Sequence, residues 1–286
     1  MPEPAAAAPT LRDVVAILER VYDPAWAESW DAVGLVCGDP DEPVRTVAFA
    51  VDPVAAVIDE ALGRGADLLV THHPLFLRGV HGVPATTYKG RLVHKLIRGG
   101  AALFTAHTNA DSADPGVSDA LAQALGLHEL RPLEPRAANP ELGIGRVGEL
   151  AAAEPLSAFA ARVAAALPAT AGGVRVAGDP DRPVRRVAVC GGAGDTFFGA
   201  VRSAGADAYV TADLRHHPAS EALETGGPAL VDVAHWASEW PWLNHAAETL
   251  RTALGVAGTH AATGTNIDTY VSTLVTDPWT AHLAAG

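Results

Sequence analysis

Three short segments of this chain put imidazole and carboxylate groups where an apolar run ends. His72 and His73 close the run LLVT, His107 and Asp111 follow AALFTA, and His235 and Glu239 follow ALVDVA. Two of the segments share the pattern His-x-x-x-acid, which at the start of a helix sets both side chains on one face, one turn apart. Adjacent imidazoles at a strand exit can diverge toward two neighbouring ions. Imidazole with carboxylate is the donor set of Zn, Mn, Fe or Ni, and the lack of a nearby thiolate argues against a structural zinc knot. Taken singly, a histidine at a strand end is an ordinary polar loop residue. A lone Asp111 or Glu239 is an ordinary carboxylate near a helix N-terminus. Their convergence at matching strand ends is what points to a metal site.

Positioning these groups requires an α/β scaffold, and the chain writes one twice. Arg45 to His73 aligns without a gap on Arg185 to Asp213, a shift of 140 residues. Gly65-Ala66-Asp67 then falls on Gly205-Ala206-Asp207, and Val70-Thr71 on Val210-Thr211. Each copy reads as a buried strand, a helix and a second strand, a unit that implies parallel pairing and a right-handed crossover. In the first copy Asp52-Pro53 supplies the expected N-cap and first-turn proline of the helix, and Gly63 or Gly65 ends it. The similarity resumes where 101–111 matches 228–239.

The predicted fold is therefore α/β: two pseudo-equivalent lobes from internal duplication, each a mixed, mostly parallel sheet flanked by helices, with the metal site between them. The expected division is residues 1–135, carrying His72, His73 and Asp111, and residues 136–286, carrying His235 and Glu239. The expected join lies in a Pro/Gly-containing connection over 131–145, and the C-terminal segment either stays with the second lobe or packs back on the first. Further helices are expected over 11–21 (capped by Thr10), 116–125, 156–166 and 240–254, and strands over 145–150 and 271–275. In an open α/β sheet, functional groups gather just past the carboxyl ends of the strands, where all six residues lie.

Composition narrows the function. Lys+Arg 20 against Asp+Glu 33 gives a formal net charge of −13, which disfavours a groove-tracking nucleic-acid binder. Cys37 and Cys190 are too few and too far apart for a disulfide framework and read as reduced thiols in a cytoplasmic protein. MPEPAAAAPT lacks the layout of a signal peptide and reads as a short disordered leader, and no apolar run approaches a membrane span. Other motifs are weaker. CGGAGD (190–195) has the form of a phosphate-binding turn, but such a turn is common packing chemistry, and packing is the slightly favoured reading. Lys89 and Arg91 read as solvated charge, and His216 and His217 as cavity-lining candidates. Trp26, Trp30, Trp236, Trp240 and Trp242 read as core or subunit-interface residues.

The segments SWDAVGLVCG (29–38), GADLLVTHHPLF (65–76), TYKGRLVHKLI (87–97), TAHTNAD (105–111), VAVCGGAGD (187–195) and AHWASE (234–239) span nearly the whole chain. In that order they resemble the Nif-three-like family, whose bacterial members are called GTP cyclohydrolase I type 2 homologues. The resemblance implies a dinuclear centre of two divalent metal ions, with ligands His72, His73, Asp111, His235 and Glu239. It implies that Glu239 bridges the ions and that His107 lies beside them as a weaker ligand, supporting group or proton shuttle. It also implies a toroidal homohexamer, in the compact form without an inserted domain. The chain departs from the family at Ala32, where asparagine is usual, and at Trp236, where small residues are. The function this supports is metal-dependent hydrolysis of a nucleotide or phosphoester-like small molecule. A non-catalytic metal-binding or partner-binding ring is the alternative.

Overall fold

The computed structural model describes residues 8–255 and 267–283, so the expected leader falls outside the described residues except at its end. In chain order the elements are α1 (Leu11–Val21), β1 (Gly34–Cys37), β2 (Thr46–Ala50), α2 (Ala55–Gly63), β3 (Leu68–Thr71), α3 (Tyr88–Arg98), β4 (Ala102–Thr105), α4 (Thr108–Ser112), α5 (Val117–Ala124), β5 (His128–Arg136), β6 (Asn139–Pro155), α6 (Leu156–Ala166), β7 (Arg175–Ala177), β8 (Pro183–Ala193), α7 (Phe198–Ser203), β9 (Ala208–Ala212), α8 (His216–Glu224), β10 (Ala229–Val233), α9 (His235–Ala253) and β11 (Asp268–Val271). They form two compact units. One comprises Met1–Ala110 with Leu243–Thr276, the other Asp111–Trp242 with Asp277–Gly286.

The first unit holds a five-stranded sheet of order β1-β4-β3-β2-β11, parallel except for the β1–β4 pair. Every residue of β3 and β4 is buried, as parallel strands covered on both faces must be. Val57, Ile58 and Ala61 of α2 and Leu92, Val93 and Leu96 of α3 pack on Ala48, Leu69 and Leu103 of the sheet. Helix α1 buries Leu11, Val14 and Leu18 at helical spacing. The Thr10 side chain caps it, and Asp13 returns a bond to the Thr10 backbone. The C-terminal strand β11 pairs with β2 and ends at Val271, so the strand expected over 271–275 lies earlier.

The second unit holds a six-stranded sheet of order β5-β6-β8-β9-β10-β7. Only β8–β9 and β9–β10 are parallel here, so this sheet is mixed. The stretch 131–145 is not a connection between lobes but most of the β5–β6 hairpin. Its prolines, Pro132 and Pro135, sit on the edge strand, where a missing N–H is tolerated. Gly143 is a close approach rather than a linker: a Cβ there would stand 2.2 Å from the Glu134 carbonyl oxygen, on a backbone with φ of +156°. The division at 135/136 consequently falls within a hairpin of one unit.

The two aligned copies share a local device. In the first, Gly65 at φ +69° ends α2, and Asp67 Oδ2 accepts from the backbone N–H groups of Arg45 and Thr46 at 2.7 and 2.9 Å. In the second, Gly205 at φ +65° ends α7, and Asp207 Oδ2 accepts from Arg185 and Arg186 at 3.0 and 2.8 Å. A left-handed glycine followed by an acid that ties down the neighbouring strand thus sets the start of each second strand. Where these strands end is where the candidate ligands stand.

Beneath α4 and α5, Arg146 is 2 % exposed and donates to Asp119 Oδ1 at 2.7 Å and to the carbonyls of Gly143, Gly145 and Ala113. Asp119, also buried, accepts from the Gly116 N–H as well. This network seats the segment after Asp111. Arg146→Met would leave Asp119 as an uncompensated buried charge, with an expected loss of about 3–5 kcal/mol. Urea unfolding measures this, and a loss under about 1 kcal/mol would show the network to be dispensable.

Candidate metal site

In the first unit, β3 delivers His72 and His73 and β4 delivers His107. The turn after β3 extends the β2 ladder, since the N–H groups of His72 and His73 donate to the carbonyls of Ala50 and Val51. Thr71 holds the turn by donating its hydroxyl to the His73 carbonyl at 2.9 Å. The three rings crowd together, with centroids 5.1 Å apart for His72–His73, 5.1 Å for His72–His107 and 5.6 Å for His73–His107. One nitrogen from each lies within 4.8 Å of one from the others, a spacing a single cation can span. His107, expected as a peripheral group, is thus part of this cluster.

In the second unit, β10 leads through Ala234 into α9, which begins at His235 rather than near residue 240. His235 and Glu239 therefore share a helix face one turn apart, with Nε2 and Oε1 separated by 3.0 Å, and Glu239 is 3 % exposed. Asp111, half-buried on α4, belongs to the same unit. Burial pushes the nearby Cys190 thiol up, and the charges of Asp111 and Glu239 push it further. The donor set remains imidazole and carboxylate.

The four histidines share a feature that suits a metal. Each Nδ1 faces an oxygen acceptor: Ala106 O for His72 at 3.0 Å, Asp52 for His73 at 2.7 Å, Asp31 for His107 at 2.9 Å and Asp213 for His235 at 2.6 Å. A carbonyl or carboxylate can only accept here, so Nδ1 carries the hydrogen. In the neutral ring the lone pair is then on Nε2, the atom a metal takes, and a carboxylate behind the ring raises its basicity. His235 differs in that Nε2 also faces an oxygen, Glu239 Oε1 at 3.0 Å, so a cation held between those two atoms would take the place of a hydrogen there. The residues present fit a divalent metal.

The partners of these rings correct several expectations. Asp52 does not cap α2, which starts at Ala55 after Val54 without a side-chain cap; it holds His73 instead. Asp213 stands where the other copy of the repeat has His73. Its backbone takes φ +57°, a left-handed conformation aspartate tolerates, and its carboxylate holds His235. Asp31 holds both His107 and Thr108. Burial would raise the Asp31 carboxyl, but the bonds from His107 and Thr108 and the charge of His107 outweigh it and leave the group well below the usual carboxylate range.

The glycine-rich turn is not a phosphate cradle. Its Gly191 and Gly192 N–H groups donate to the Ser118 and Ser238 hydroxyls, and its glycines serve close packing. A Cβ on Gly194 would lie 2.1 Å from the Tyr209 hydroxyl. Trp236 and Trp242 are core residues, whereas Trp30 is 56 % exposed and belongs to no core.

Fold and donor groups together define an α/β protein with candidate His/Glu metal-binding groups at its strand ends. The profile of the family Duf34/NIF3 (NGG1p interacting factor 3) matches residues 9–277, and the chain belongs to that family. A Streptomyces coelicolor relative, called GTP cyclohydrolase 1 type 2 homolog, is 55% identical over 279 residues, covering 97% of this chain and 96% of its own. A Mycobacterium bovis relative of the same description is 41% identical over 375 aligned positions, covering 94% of this chain and 96% of its own. That alignment is longer than this chain of 286 residues, so the relative carries an insertion. Among solved structures, a Bacillus cereus protein related to NIF3 superposes with a TM-score of 0.87 at 24% identity, covering 96% of this chain and 99% of its own. Among the described residues no helix is long and apolar enough to cross a membrane.

Gly192 gives a test of the second-unit group. Its φ is +70°, and a Cβ there would meet Glu239 Oε1 at 2.6 Å and His235 Nε2 at 3.0 Å. Gly192→Ala should leave the protein folded by circular dichroism and weaken divalent-metal binding about 10- to 100-fold, the range for disturbing groups around a ligand. Unchanged affinity in a metal titration would exclude the pair from the site.

Proposed function

We propose that this protein holds two divalent metal ions through His72, His73, Asp111, His235 and Glu239, and that it hydrolyses a nucleotide or phosphoester-like small molecule. The observation that carries the reading is the oxygen behind Nδ1 of His72, His73 and His235, which makes Nε2 of each the nitrogen a cation would take. Zn, Fe, Mn and Ni all suit this donor set. Such ions, when bound, supply the Lewis acidity a hydrolysis needs. The chain's own part is to orient and to move protons. Asp52 and Asp213 fix the rings of His73 and His235. His107, with Nδ1–H on Asp31, can take or give a proton at Nε2 as general base or acid.

An anionic substrate is favoured by local charge. Between His73 and Asp111 the chain carries Arg78, Lys89, Arg91, Lys95 and Arg98 and neither Asp nor Glu, although the whole chain is strongly acidic. Lys95 pairs with Asp59. Lys89 Nζ lies 5.8 Å from the ring of Phe76, three residues past His73, which sets that ammonium near the β3 exit. The relatives' name, GTP cyclohydrolase 1 type 2 homolog, agrees with hydrolysis of a nucleotide. The family's description as an interacting factor favours the second reading, a non-catalytic metal- or partner-binding ring. Both readings extend to a cytoplasmic homohexamer.

Elemental analysis of protein purified without chelator or tag metal should find about two ions per chain. His72→Ala and Glu239→Ala should each lower that content while the protein stays folded. No metal in the native protein, and none taken up from Zn, Mn or Fe, would overturn the site. His107→Ala should keep most of the metal yet cut the hydrolysis of any phosphoester or nucleotide substrate found by screening, by about 10²- to 10⁴-fold. Full metal content without turnover of any such compound would favour the non-catalytic reading.

A further inference from the structure

Trp30 stands beside the histidine cluster without a structural reason to be there. Large aromatic side chains are normally buried, because their area dominates core energetics. Trp30 is 56 % exposed, while the side chain of its neighbour Asp31 has 0 % exposure. The contrast comes from how the loop is tied. The Asp31 N–H donates to the Glu28 carbonyl at 3.0 Å, and the Glu28 N–H donates to Thr108 Oγ1 at 2.9 Å. Asp31 accepts from the Thr108 N–H at 3.0 Å and from His107 Nδ1 at 2.9 Å. A turn pinned at Glu28 and Asp31 leaves the side chain between them no path to the core. The indole instead packs edge-on with the His107 ring, centroids 6.0 Å apart and planes at 77°. That contact uses a small part of its surface.

We infer that Trp30 is a stacking platform for the substrate: it receives the flat aromatic ring of a heterocyclic compound whose reacting group lies at the His72, His73 and His107 cluster. An exposed indole on a rigid loop offers a π-face at little cost in side-chain ordering, and stacking on it tolerates any planar ring. The bonds that aim His107 also hold the platform, since Asp31 ties both to one turn. A ring seated on Trp30 is thereby registered against the imidazoles, which is how binding remote from the reacting atoms orients them. Trp30 is a substrate-positioning residue in this scheme. It deepens the hydrolase reading, because it identifies the substrate as a compound bearing a planar heterocycle, and it rests on that reading for the identity of the reacting centre.

The test uses the full-length protein, metal-free and metal-loaded, with GMP and FMN as planar-ring probes and ribose 5-phosphate as the ringless control. Equilibrium dialysis should show the native protein binding at least one ring-bearing probe. Trp30→Ala should weaken that binding roughly 5- to 150-fold, the range spanned by base–aromatic stacking, while Trp30→Phe keeps most of it. Ribose 5-phosphate should bind equally to all three. The fluorescence lost on going from native to Trp30→Phe should be readily quenched by acrylamide, as an open indole requires. Binding of neither ring-bearing probe, equal binding by native and Trp30→Ala, or an acrylamide-protected Trp30 covered by another copy of the chain would each overturn the proposal. Dialysis of the metal-free protein separates the two readings: ring binding that depends on Trp30, in a protein that takes up no metal, would sink the metal site and leave the platform standing.

Discussion

An imidazole can give a lone pair to a cation only from the nitrogen that lacks a hydrogen, and in water either nitrogen can be that one. Four histidines of this chain have the choice made for them. An oxygen behind each ring, from Ala106, Asp52, Asp31 or Asp213, takes the Nδ1 hydrogen and fixes both the tautomer and the ring's rotation. Much of the surrounding architecture makes sense as a means of bringing those oxygens within about 3 Å of rings that the strands deliver.

The strands can deliver them because their ends are well defined. In each aligned copy a left-handed glycine stops a helix, and the following acid clamps two backbone N–H groups of the neighbouring strand. Parallel pairing then brings adjacent strands to the same edge of the sheet, so side chains just past β3 and β4 arrive together. In the second unit a helix start replaces one of these strand exits, and the i, i+4 spacing of His235 and Glu239 does the same work. The small residues alongside follow from this crowding. Gly192 leaves the space that Glu239 and His235 fill, and Ser238 and Ser118 satisfy the backbone N–H groups of a segment that could otherwise serve as an anion nest. Trp30 shows the opposite outcome, a large side chain held out by the bonds that aim its neighbour.

The candidate donors were legible in the sequence because each follows a short apolar run that can only be a buried strand, and because the run and its polar terminus occur twice. Their supporting acids were not. Asp52 is 21 residues from His73, Asp31 is 76 from His107 and Asp213 is 22 from His235. No local pattern connects residues at such separations. Asp52 before Pro53 has the form of a helix cap, and Asp213 does no more in the sequence than align with His73 of the other copy. The hairpin over 131–145 misled for a related reason, since proline and glycine mark an edge strand and its irregularities as readily as a linker.

By itself, then, the sequence determined the α/β class, the two βαβ units, the spacing of His235 and Glu239, and the membership in the family. All of these rest on periodicity, short-range spacing or residue identity in order along the chain. Only the tertiary structure decided which nitrogen of each histidine carries the hydrogen, that His107 joins His72 and His73, that Gly191 and Gly192 have no N–H to offer an anion, and that Trp30 is held in solvent beside the cluster. Those are properties of pairs of groups far apart in the chain. They exist only once burial has brought the groups together and excluded the water that would otherwise satisfy each of them separately.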